Sequence, residues 1–349
     1  MGTITIIGAG AMGTAMAWPS ADNGHLVRLV GTPLDAAIIS GIRADRIHPK
    51  LKRPVPENVV PFDDSQILEA LRDTDLVISG VSSLGVDWFA DTIGPHLDPE
   101  VPLIAVTKGL VGNTSGKIIT LPDYLEGRIK AQTGRQLGCN AITGPCIAQE
   151  LAARRHTCVV FCGRDLAVLE ETRAMLQTNY YQIAVSEELT SLEICAAMKN
   201  AYAVAINLAV GEFEVVGMDG NAHYYNPQAA LFAQGMREME LLLTVLGGNP
   251  KTTIGLPGSG DLYVTVFGGR SARLGKMLGK GMTYRAALEE LAGETLESVE
   301  ITRQVCLALP ALEKEGKVPV DSFPLLKHLW RMIKFNQPAP IPWDDFSPA

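Results

Sequence analysis

The sequence lacks the features that mark several classes of protein. No apolar run reaches the roughly 18 residues of a membrane span, and residue 1 leads into a strand-like run without the charged and apolar regions of a signal peptide. The six cysteines include no C-x-x-C pair, which is typical of reduced thiols in a cytosolic protein. The net charge of -8 disfavours nonspecific nucleic-acid binding. We expect a cytoplasmic protein with no membrane, nucleic-acid or metal partner.

What the chain does contain is a core large enough for two domains. Hydrophobic residues make up 47% of the 349 residues and charged residues 19%. In the first half, short apolar runs that end in small residues alternate with helical stretches, which predicts an α/β domain with a doubly wound, mainly parallel sheet. The second half shows apolar residues at helical spacing over 190–210, 226–247, 271–292 and 296–314. We predict domains at 1–188 and 189–349, the second all-helical with an irregular, proline-rich tail from 335 to 349.

The stretch "GAGAMG" spaces Gly8, Gly10 and Gly13 as G-x-G-x-x-G between a predicted strand and a predicted helix. This context favours a Rossmann dinucleotide site over a glycine turn without a ligand. Gly8 allows the tight turn, Gly10 lets a pyrophosphate approach the backbone, and Gly13 allows close packing of helix on strand. Ala11 and Met12 open the helix, whose N-terminus is predicted to face the phosphates.

The second predicted strand lacks the acid that usually binds the adenosine ribose of NAD. It ends in Gly31 and Thr32, and the nearest acid is Asp35, beyond a proline. Arg28 lies within the strand and Arg43 further along the chain. No well-placed carboxylate would repel a 2′-phosphate, so the cofactor can be NAD or NADP, with Thr32 as a predicted contact.

Two lysines stand where a lysine can carry chemistry. Lys108, in "VTKGL", follows a predicted parallel strand at its C-terminal end, where ligands bind in such sheets. Lys199, in "ICAAMKNAYAVA", lies on an apolar helical face. On that helix alone it can extend past the edge of the buried face, or it can be a desolvated ammonium that donates a proton to a substrate.

The glycine-rich stretch from 255 to 275 favours the second interpretation of Lys199. It contains Asp261, Thr265 and Arg270 on a predicted helix and loop. An aspartate near a catalytic lysine would orient the ammonium and keep it charged. Threonine, arginine and backbone N–H groups suit a phosphate, which arginine binds through its forked guanidinium.

Six blocks in order resemble the NAD(P)-dependent sn-glycerol-3-phosphate dehydrogenases. They are "GAGAMG", "TKGL", "GPCIAQELA", "ICAAMKNAYAVA", "NPQAALFAQGMREM" and "GSGDLYVTVFGGR", and they run from residue 1 to about 330. The resemblance implies a Rossmann domain, a helical C-terminal domain and an active site between them. It also implies a homodimer that interconverts dihydroxyacetone phosphate and sn-glycerol 3-phosphate.

The same resemblance implies roles for individual residues. It makes Lys199 the acid/base, with Asp261 and Lys108 as its catalytic partners. The implied substrate contacts are Lys108, Gly144, Asn200, Thr265, Arg270 and Ser271. The implied cofactor contacts are Gly8, Gly10, Ala11, Met12, Gly13, Thr32, Lys108, Ala148, Arg270 and Glu297.

Three departures from the family pattern lie at the substrate end. Ser271 replaces an asparagine that helps to hold the phosphate, and Cys146 stands where serine, threonine or asparagine is usual. The segment 211–226 departs from the common glycine pattern and adds two tyrosines. A longer polyol or keto-sugar phosphate therefore stays open as the substrate. Two further functions also stay open, namely a related 2-oxoacid or β-hydroxyacid reductase and a non-catalytic nucleotide sensor.

Overall fold

The computed structural model describes residues 1–216 and 224–346. The chain forms two compact units, of which the first contains Met1–Lys108 and Leu121–Leu189. The second contains Gly109–Thr120 and Thr190–Ala349. The segment 109–120, which the sequence assigned to the first domain, thus groups with the second unit.

The strands and helices follow in chain order. The strands are β1 (Thr3–Ile7), β2 (Leu26–Val30), β3 (Ile47–His48), β4 (Arg53–Pro54), β5 (Val59–Phe62), β6 (Leu76–Ser79), β7 (Leu103–Ala105), β8 (Leu110–Gly112), β9 (Ile118–Thr120), β10 (Cys139–Thr143), β11 (Thr157–Cys162) and β12 (Tyr181–Ser186). The helices are α1 (Ala11–Ala15), α2 (Ala17–Asp22), α3 (Ala36–Asp45), α4 (Ile67–Ala70), α5 (Val86–Trp88), α6 (Leu121–Thr133), α7 (Ala148–Ala152), α8 (Leu166–Leu176), α9 (Leu189–Val216), α10 (Tyr225–Val245), α11 (Asp261–Val266), α12 (Gly269–Gly279), α13 (Tyr284–Glu290), α14 (Glu297–Lys314) and α15 (Pro324–Phe335).

The first unit is built on an eight-stranded sheet in the order β12-β11-β10-β7-β6-β1-β2-β5. From β5 to β10 every neighbouring pair is parallel. This is the doubly wound Rossmann order, which turns back on itself between β1 and β6. β11 pairs antiparallel with β10, and β12 runs parallel to β11. The predicted fold class is confirmed, although β5, at the sheet edge, was not predicted.

In its described residues, the second unit contains helices and the β8–β9 hairpin. Its central helix, α9, is long and apolar enough to cross a membrane by length and composition, but 94% of its most apolar window is buried inside the protein, as in a core helix. The predicted helix 271–292 is instead two helices, α12 and α13. Gly281 takes a left-handed φ of 85° between them, and the Thr283 hydroxyl accepts a hydrogen bond from Ala286 N–H to begin the second helix.

The described part of the tail from Asn336 to Phe346 is irregular but packed. Ile341 is buried in the core of the second unit, and the Trp343 and Phe346 rings meet edge to face. Helix α15, which precedes this tail, was not predicted. Of the departing segment 211–226, residues 217–223 lie outside the described residues. Tyr224 stacks on Phe213 with ring centroids 5.5 Å apart, and Tyr225 is exposed.

A buried carboxylate fixes the start of α15. Glu238 on α10 accepts hydrogen bonds from Leu325 N–H at 2.7 Å and Leu326 N–H at 3.0 Å. Gln234 and the Tyr202 hydroxyl donate to the same carboxylate at 2.8 and 3.3 Å. Helix N-termini leave such N–H groups without intrahelical acceptors, so Glu238 satisfies donors that would otherwise be buried and unpaired.

Replacing this carboxylate will destabilise the second unit. We expect Glu238→Ala to lower the free energy of unfolding by about 3 kcal/mol, because several buried donors lose their acceptor. Urea unfolding followed by circular dichroism measures the change. Glu240→Ala, at an exposed position on the same helix, should shift the free energy by less than about 0.5 kcal/mol. Equal losses in the two variants would contradict this role of Glu238.

The stability should also depend on pH through this residue. Burial raises the pKa of Glu238 from 4.5 to about 7, against the four hydrogen-bond donors that lower it. A raised carboxyl pKa in the folded state stabilises the fold below pH 4.5, and this contribution is lost as the pH rises through about 7. Glu238→Gln should show a flatter stability profile between pH 5 and 8 than the native chain. A profile with the same slope in both proteins would exclude this assignment.

Candidate active site

The glycine-rich loop after β1 has two glycines that the protein's own packing requires. Gly8 takes a φ of 109°, and a Cβ there would lie 2.8 Å from the carbonyl carbon of Gly80. A Cβ on Gly13 would lie 2.2 Å from the Gly8 carbonyl oxygen. Around Gly10, by contrast, no atom of the described residues lies within 4 Å of a Cβ position. The packing of the described residues therefore does not require a glycine at residue 10, and space for a ligand remains there.

The loop lies at the place where the order of the sheet reverses. Gly8 follows β1 and Gly80 follows β6, the neighbouring parallel strand. Ligands of doubly wound sheets bind at this switch point, outside the carboxyl ends of the strands. Ala11 and Met12 begin α1, which continues through the right-handed Met16 into α2. The first N–H groups of a helix have no intrahelical acceptor, so the donors here suit a pyrophosphate.

The Asp35 carboxylate accepts hydrogen bonds from other residues of the first unit. Its Oδ2 accepts hydrogen bonds from Ala9 N–H at 3.1 Å, Thr32 N–H at 3.0 Å and the Thr32 hydroxyl at 2.8 Å. Gly31 permits this approach, since a Cβ there would lie 2.7 Å from the Ile39 side chain and 3.4 Å from that of Asp35. Asp35, the acid nearest to the end of β2, therefore links the glycine-rich loop to the segment after β2 through hydrogen bonds.

The two arginines near the second strand are bound elsewhere. Arg28 donates to the carbonyl oxygens of Ala70 and Arg72. Arg43 forms a 2.5 Å ion pair with Asp63. Neither contact is with the glycine-rich loop.

Lys108 and Gly144 come together at the carboxyl ends of neighbouring strands. Lys108 lies three residues beyond β7, a strand shorter than predicted, and its Nζ donates to the Gly144 carbonyl oxygen at 3.2 Å. Gly144 directly follows β10, which pairs parallel with β7. Cys146 lies with its sulfur 4.0 Å from that of Met12, and Ala148 begins α7. The "TKG" and "GP-x-x-A" blocks and part of the glycine-rich loop thus share one edge of the first unit.

In the second unit, Lys199 and Asp261 form a buried ion pair. Lys199 lies near the middle of α9 and Asp261 begins α11. The Lys199 Nζ contacts the Asp261 Oδ1, and only 9% and 1% of the two side chains remain exposed. Buried charges are tolerated when they are paired and hydrogen-bonded. The side chain of Lys199 is therefore buried and paired rather than extended past the edge of the buried face, while its role as a proton donor stays a prediction.

Three glycines bring α9 and α12 into backbone contact. A Cβ on Gly275 would lie 2.3 Å from the Val204 carbonyl oxygen, and one on Gly279 would lie 2.1 Å from that of Leu208. A Cβ on Gly211 would similarly lie 2.2 Å from the Lys276 carbonyl oxygen. This close packing fixes the second half of α12 against α9. Sequence reasoning missed it, although the G-x-x-x-G spacing of Gly275 and Gly279 could have indicated a close helix contact.

The start of α12 carries the remaining predicted residues. Arg270 forms a 3.2 Å ion pair with Glu297 at the start of α14, and Ser271 is buried beside it in the sequence. The Thr265 hydroxyl donates to the Asp261 carbonyl oxygen at 2.6 Å, and Asn200 is buried next to Lys199 in sequence. The N-cap residue of α12 is Gly268, which has no side chain that could accept hydrogen bonds from the first N–H groups of the helix. These donors therefore suit an anion.

Each unit therefore holds a chemically distinct set of groups. The first offers a glycine-rich loop and a lysine at a strand end. The second offers a paired ammonium, which can exchange a proton, and a helix start with an arginine, which can bind a phosphate. A further residue of the first unit, His48, contacts the glycine-rich loop at Ala9 O and was not found from the sequence.

Two family models match most of the chain. The model described as NAD-dependent glycerol-3-phosphate dehydrogenase N-terminus matches residues 3–168. The model described as NAD-dependent glycerol-3-phosphate dehydrogenase C-terminus matches residues 188–340.

Curated relatives match over nearly the same length. The chain is 34% identical over 330 residues to the NADP(+)-dependent glycerol-3-phosphate dehydrogenase of Archaeoglobus fulgidus, covering 95% of this chain and 94% of that protein. It is 30% identical over 340 residues to the glycerol-3-phosphate dehydrogenase [NAD(P)+] of Symbiobacterium thermophilum, covering 95% and 93%.

Solved structures share the fold. The crystal structure of glycerol-3-phosphate dehydrogenase from Coxiella burnetii has a TM-score of 0.78 at 24% identity and covers 99% of this chain and 97% of that one. That of 2-dehydropantoate 2-reductase from Methylococcus capsulatus has a TM-score of 0.56 at 13% identity, with 95% and 96% covered. The predicted family is confirmed by the two family models and the curated relatives: the chain belongs to the NAD(P)-dependent glycerol-3-phosphate dehydrogenases.

Proposed function

We propose that the chain interconverts dihydroxyacetone phosphate and sn-glycerol 3-phosphate with NAD or NADP. The observation that carries the proposal is the buried Lys199–Asp261 pair, because a desolvated and charge-paired lysine is suited to proton transfer. The relatives from Archaeoglobus fulgidus and Symbiobacterium thermophilum are glycerol-3-phosphate dehydrogenases, which supports sn-glycerol 3-phosphate as the alcohol.

Lys199 acts as the acid in ketone reduction and as the base in the reverse direction. Its ammonium gives a proton to the carbonyl oxygen, and its amine takes the proton back from the hydroxyl when the alcohol is oxidised. Asp261 orients the Nζ and stabilises the ammonium form. When bound, the nicotinamide supplies or accepts the hydride at the carbon that carries this oxygen. Lys108 and Gly144 contact the substrate, and Lys108 helps to polarise its carbonyl.

The substrate phosphate binds at the start of α12. A guanidinium carries five N–H donors, of which the hydrogen bond to Glu297 uses one, so Arg270 can also bind a phosphate. Thr265, Asn200 and Ser271 add polar groups, and the N-terminus of α12 favours negative charge. Holding the remote phosphate supplies binding energy for placing the reacting carbonyl.

The cofactor binds at the glycine-rich loop of the first unit. Its proposed contacts are Gly8, Gly10, Ala11, Met12, Gly13, Thr32, Lys108, Ala148, Arg270 and Glu297. The open space at Gly10 supports the loop as the pyrophosphate site. β2 is followed by Gly31 and Thr32, neither of which is an acid that would discriminate against a 2′-phosphate, and Oδ2 of the nearest acid, Asp35, accepts hydrogen bonds from Ala9 and Thr32. Both NAD and NADP therefore fit the proposal.

A second candidate is the dehydrogenase of a longer keto-sugar phosphate. It is favoured by Ser271 and Cys146, since both replace residues that the family usually has at the substrate end. A steady-state comparison of dihydroxyacetone phosphate with longer keto-sugar phosphates, using both cofactors, distinguishes the two candidates.

We also propose that the protein works as a homodimer in the cytoplasm. The resemblance to the family supports the dimer, and a sequence with six cysteines but no C-x-x-C pair is compatible with a reducing compartment.

The role of Lys199 is tested by removing the pair as a whole. Lys199→Met alone would leave the Asp261 carboxylate buried without its partner, so the variant to use is Lys199→Met with Asp261→Asn. We expect kcat to fall by about 100- to 10,000-fold, because the reaction loses its proton donor. NADPH binding, followed by fluorescence titration, should stay unchanged. Lys280→Met, at an exposed ion pair on the same unit, is the control. A near-normal kcat in the double variant would exclude Lys199 as the proton donor.

The phosphate site is tested by comparing two ketones. We expect Arg270→Leu to lower kcat/KM for dihydroxyacetone phosphate by about 10- to 100-fold, because a charge-assisted contact is lost. Because Arg270 is also a proposed cofactor contact, both ketones are assayed at saturating NADPH, where kcat/KM for unphosphorylated dihydroxyacetone should fall much less. Arg273→Leu removes an ion pair on the same helix and should leave kcat/KM for both ketones unchanged. Equal losses for the two ketones in the Arg270 variant would refute a phosphate contact.

The cofactor loop is tested at Gly10. We expect Gly10→Val to weaken NADPH binding by more than about tenfold, since the side chain fills the proposed pyrophosphate space. Its melting temperature should stay within about 2 °C of the native value, because nothing in the described protein occupies that space. Gly41→Val, at a similarly open helix position, should bind NADPH normally. Unchanged NADPH affinity in Gly10→Val would place the cofactor elsewhere.

A further inference from the structure

His48 is a fully buried histidine in the hairpin β3–β4, outside every motif of the sequence. Its Nε2 lies 3.0 Å from the carbonyl oxygen of Ala9, inside the glycine-rich loop. Its Nδ1 accepts hydrogen bonds from Lys50 N–H at 3.2 Å and Leu51 N–H at 3.1 Å. One ring thus connects the hairpin to the loop 39 residues earlier in the chain.

These contacts define the tautomer of the ring. Backbone N–H groups can only donate, so Nδ1 carries no proton and Nε2–H donates to the Ala9 carbonyl. Burial lowers the pKa of His48 and keeps the ring neutral, and Lys50 adds to this effect. The Ala9 carbonyl and the Asp35 carboxylate act in the opposite direction on the pKa.

Ala9 is consequently held on both sides. Asp35 accepts its N–H, which belongs to the Gly8–Ala9 peptide, and His48 binds its C=O, which belongs to the Ala9–Gly10 peptide. In a trans peptide the C=O and the following N–H point in opposite directions. Fixing the Ala9 carbonyl therefore also fixes the direction of the Gly10 N–H, at the residue whose surroundings are open.

We propose that His48 is a positioning residue for the cofactor, holding the Ala9–Gly10 peptide in the orientation that receives the pyrophosphate. The inference rests on the proposed cofactor site at the glycine-rich loop. It gives His48 a role without direct ligand contact: its hydrogen bond fixes the loop before the cofactor arrives, so that less ordering is needed on binding. The group that the positioned loop would bind is the diphosphate of a dinucleotide. The His48 imidazole takes no part in hydride or proton transfer.

A purely local role is the competing explanation. The two bonds to Nδ1 hold the turn at Lys50 and Leu51, and His48 could be needed for that turn alone. Two substitutions separate the roles, since Nδ1 lies three bonds from Cα and Nε2 lies four. In His48→Asn, Oδ1 can replace Nδ1 and keep the turn, but no donor reaches Ala9. In His48→Gln, the side-chain amide can reach Ala9, but the acceptor at the Nδ1 position is lost.

The experiment measures NADPH and NADH dissociation constants of the full chain by fluorescence titration, with kcat, the cofactor KM and the melting temperature. We expect His48→Asn to weaken the binding of both cofactors by about five- to tenfold, the effect of one lost hydrogen bond. Its kcat at saturating cofactor should stay within about twofold and its melting temperature close to native. His48→Gln should bind both cofactors within about threefold of the native chain even though it melts lower. His156→Asn, at an exposed position of the same unit, is the control.

Two results would overturn the inference. One is cofactor affinity at the native level in His48→Asn. The other is a loss of cofactor affinity in both variants in proportion to their loss of thermal stability, which would mean that His48 only stabilises the turn at Lys50 and Leu51. The cofactor site is tested separately by Gly10→Val. If Gly10→Val loses affinity and His48→Asn does not, only the role of His48 fails. If Gly10→Val binds normally, the cofactor site itself fails.

Discussion

The helical unit depends on one electrostatic constraint: the ammonium of Lys199 can be buried because the carboxylate of Asp261 meets it. These residues are far apart in the sequence, so the chain between them must bring the start of α11 to the middle of α9. The backbone contacts of Gly211, Gly275 and Gly279 then hold α12 close to α9. The groups that we propose for proton transfer and phosphate binding are in this way fixed on one packed set of helices, which is the condition for reproducible positioning of a small substrate.

In the Rossmann unit, the glycine-rich loop is held by hydrogen bonds and by close backbone packing. Gly8 and Gly13 allow backbone atoms to approach closely, and Asp35 and His48 hold the peptide groups on either side of Ala9. A loop that binds a diphosphate through its backbone cannot rely on its own side chains for shape. Its conformation therefore comes from residues further along the chain, among them Asp35, whose Oδ2 accepts hydrogen bonds from Ala9 and Thr32.

The sequence predicted what is local and what a known family shares. The glycine spacing predicted the tight loop between β1 and α1, and the periodicity of 190–210 and 226–247 predicted α9 and α10. It could not predict the tether from His48, because a lone histidine in a basic loop has no pattern that points to Ala9. Helix 271–292 was wrong because apolar spacing continues across Gly281, where the backbone turns left-handed. The pairing of Lys199 with Asp261 was a hypothesis until the fold placed the two residues together.

The β8–β9 hairpin complicates any exchange of parts between relatives. Leu110 enters the core of the helical unit, and Gly112 N–H donates to the Gln304 side chain of α14 at 2.9 Å. A side chain at Gly112 would meet the Gln304 backbone at 2.6 Å. A chimera joined at the end of β12 would therefore carry one parent's hairpin against the other parent's α14. The two structural units therefore do not correspond to two continuous segments of the sequence. A chimera that preserves the packing must exchange residues 109–120 together with the C-terminal helices.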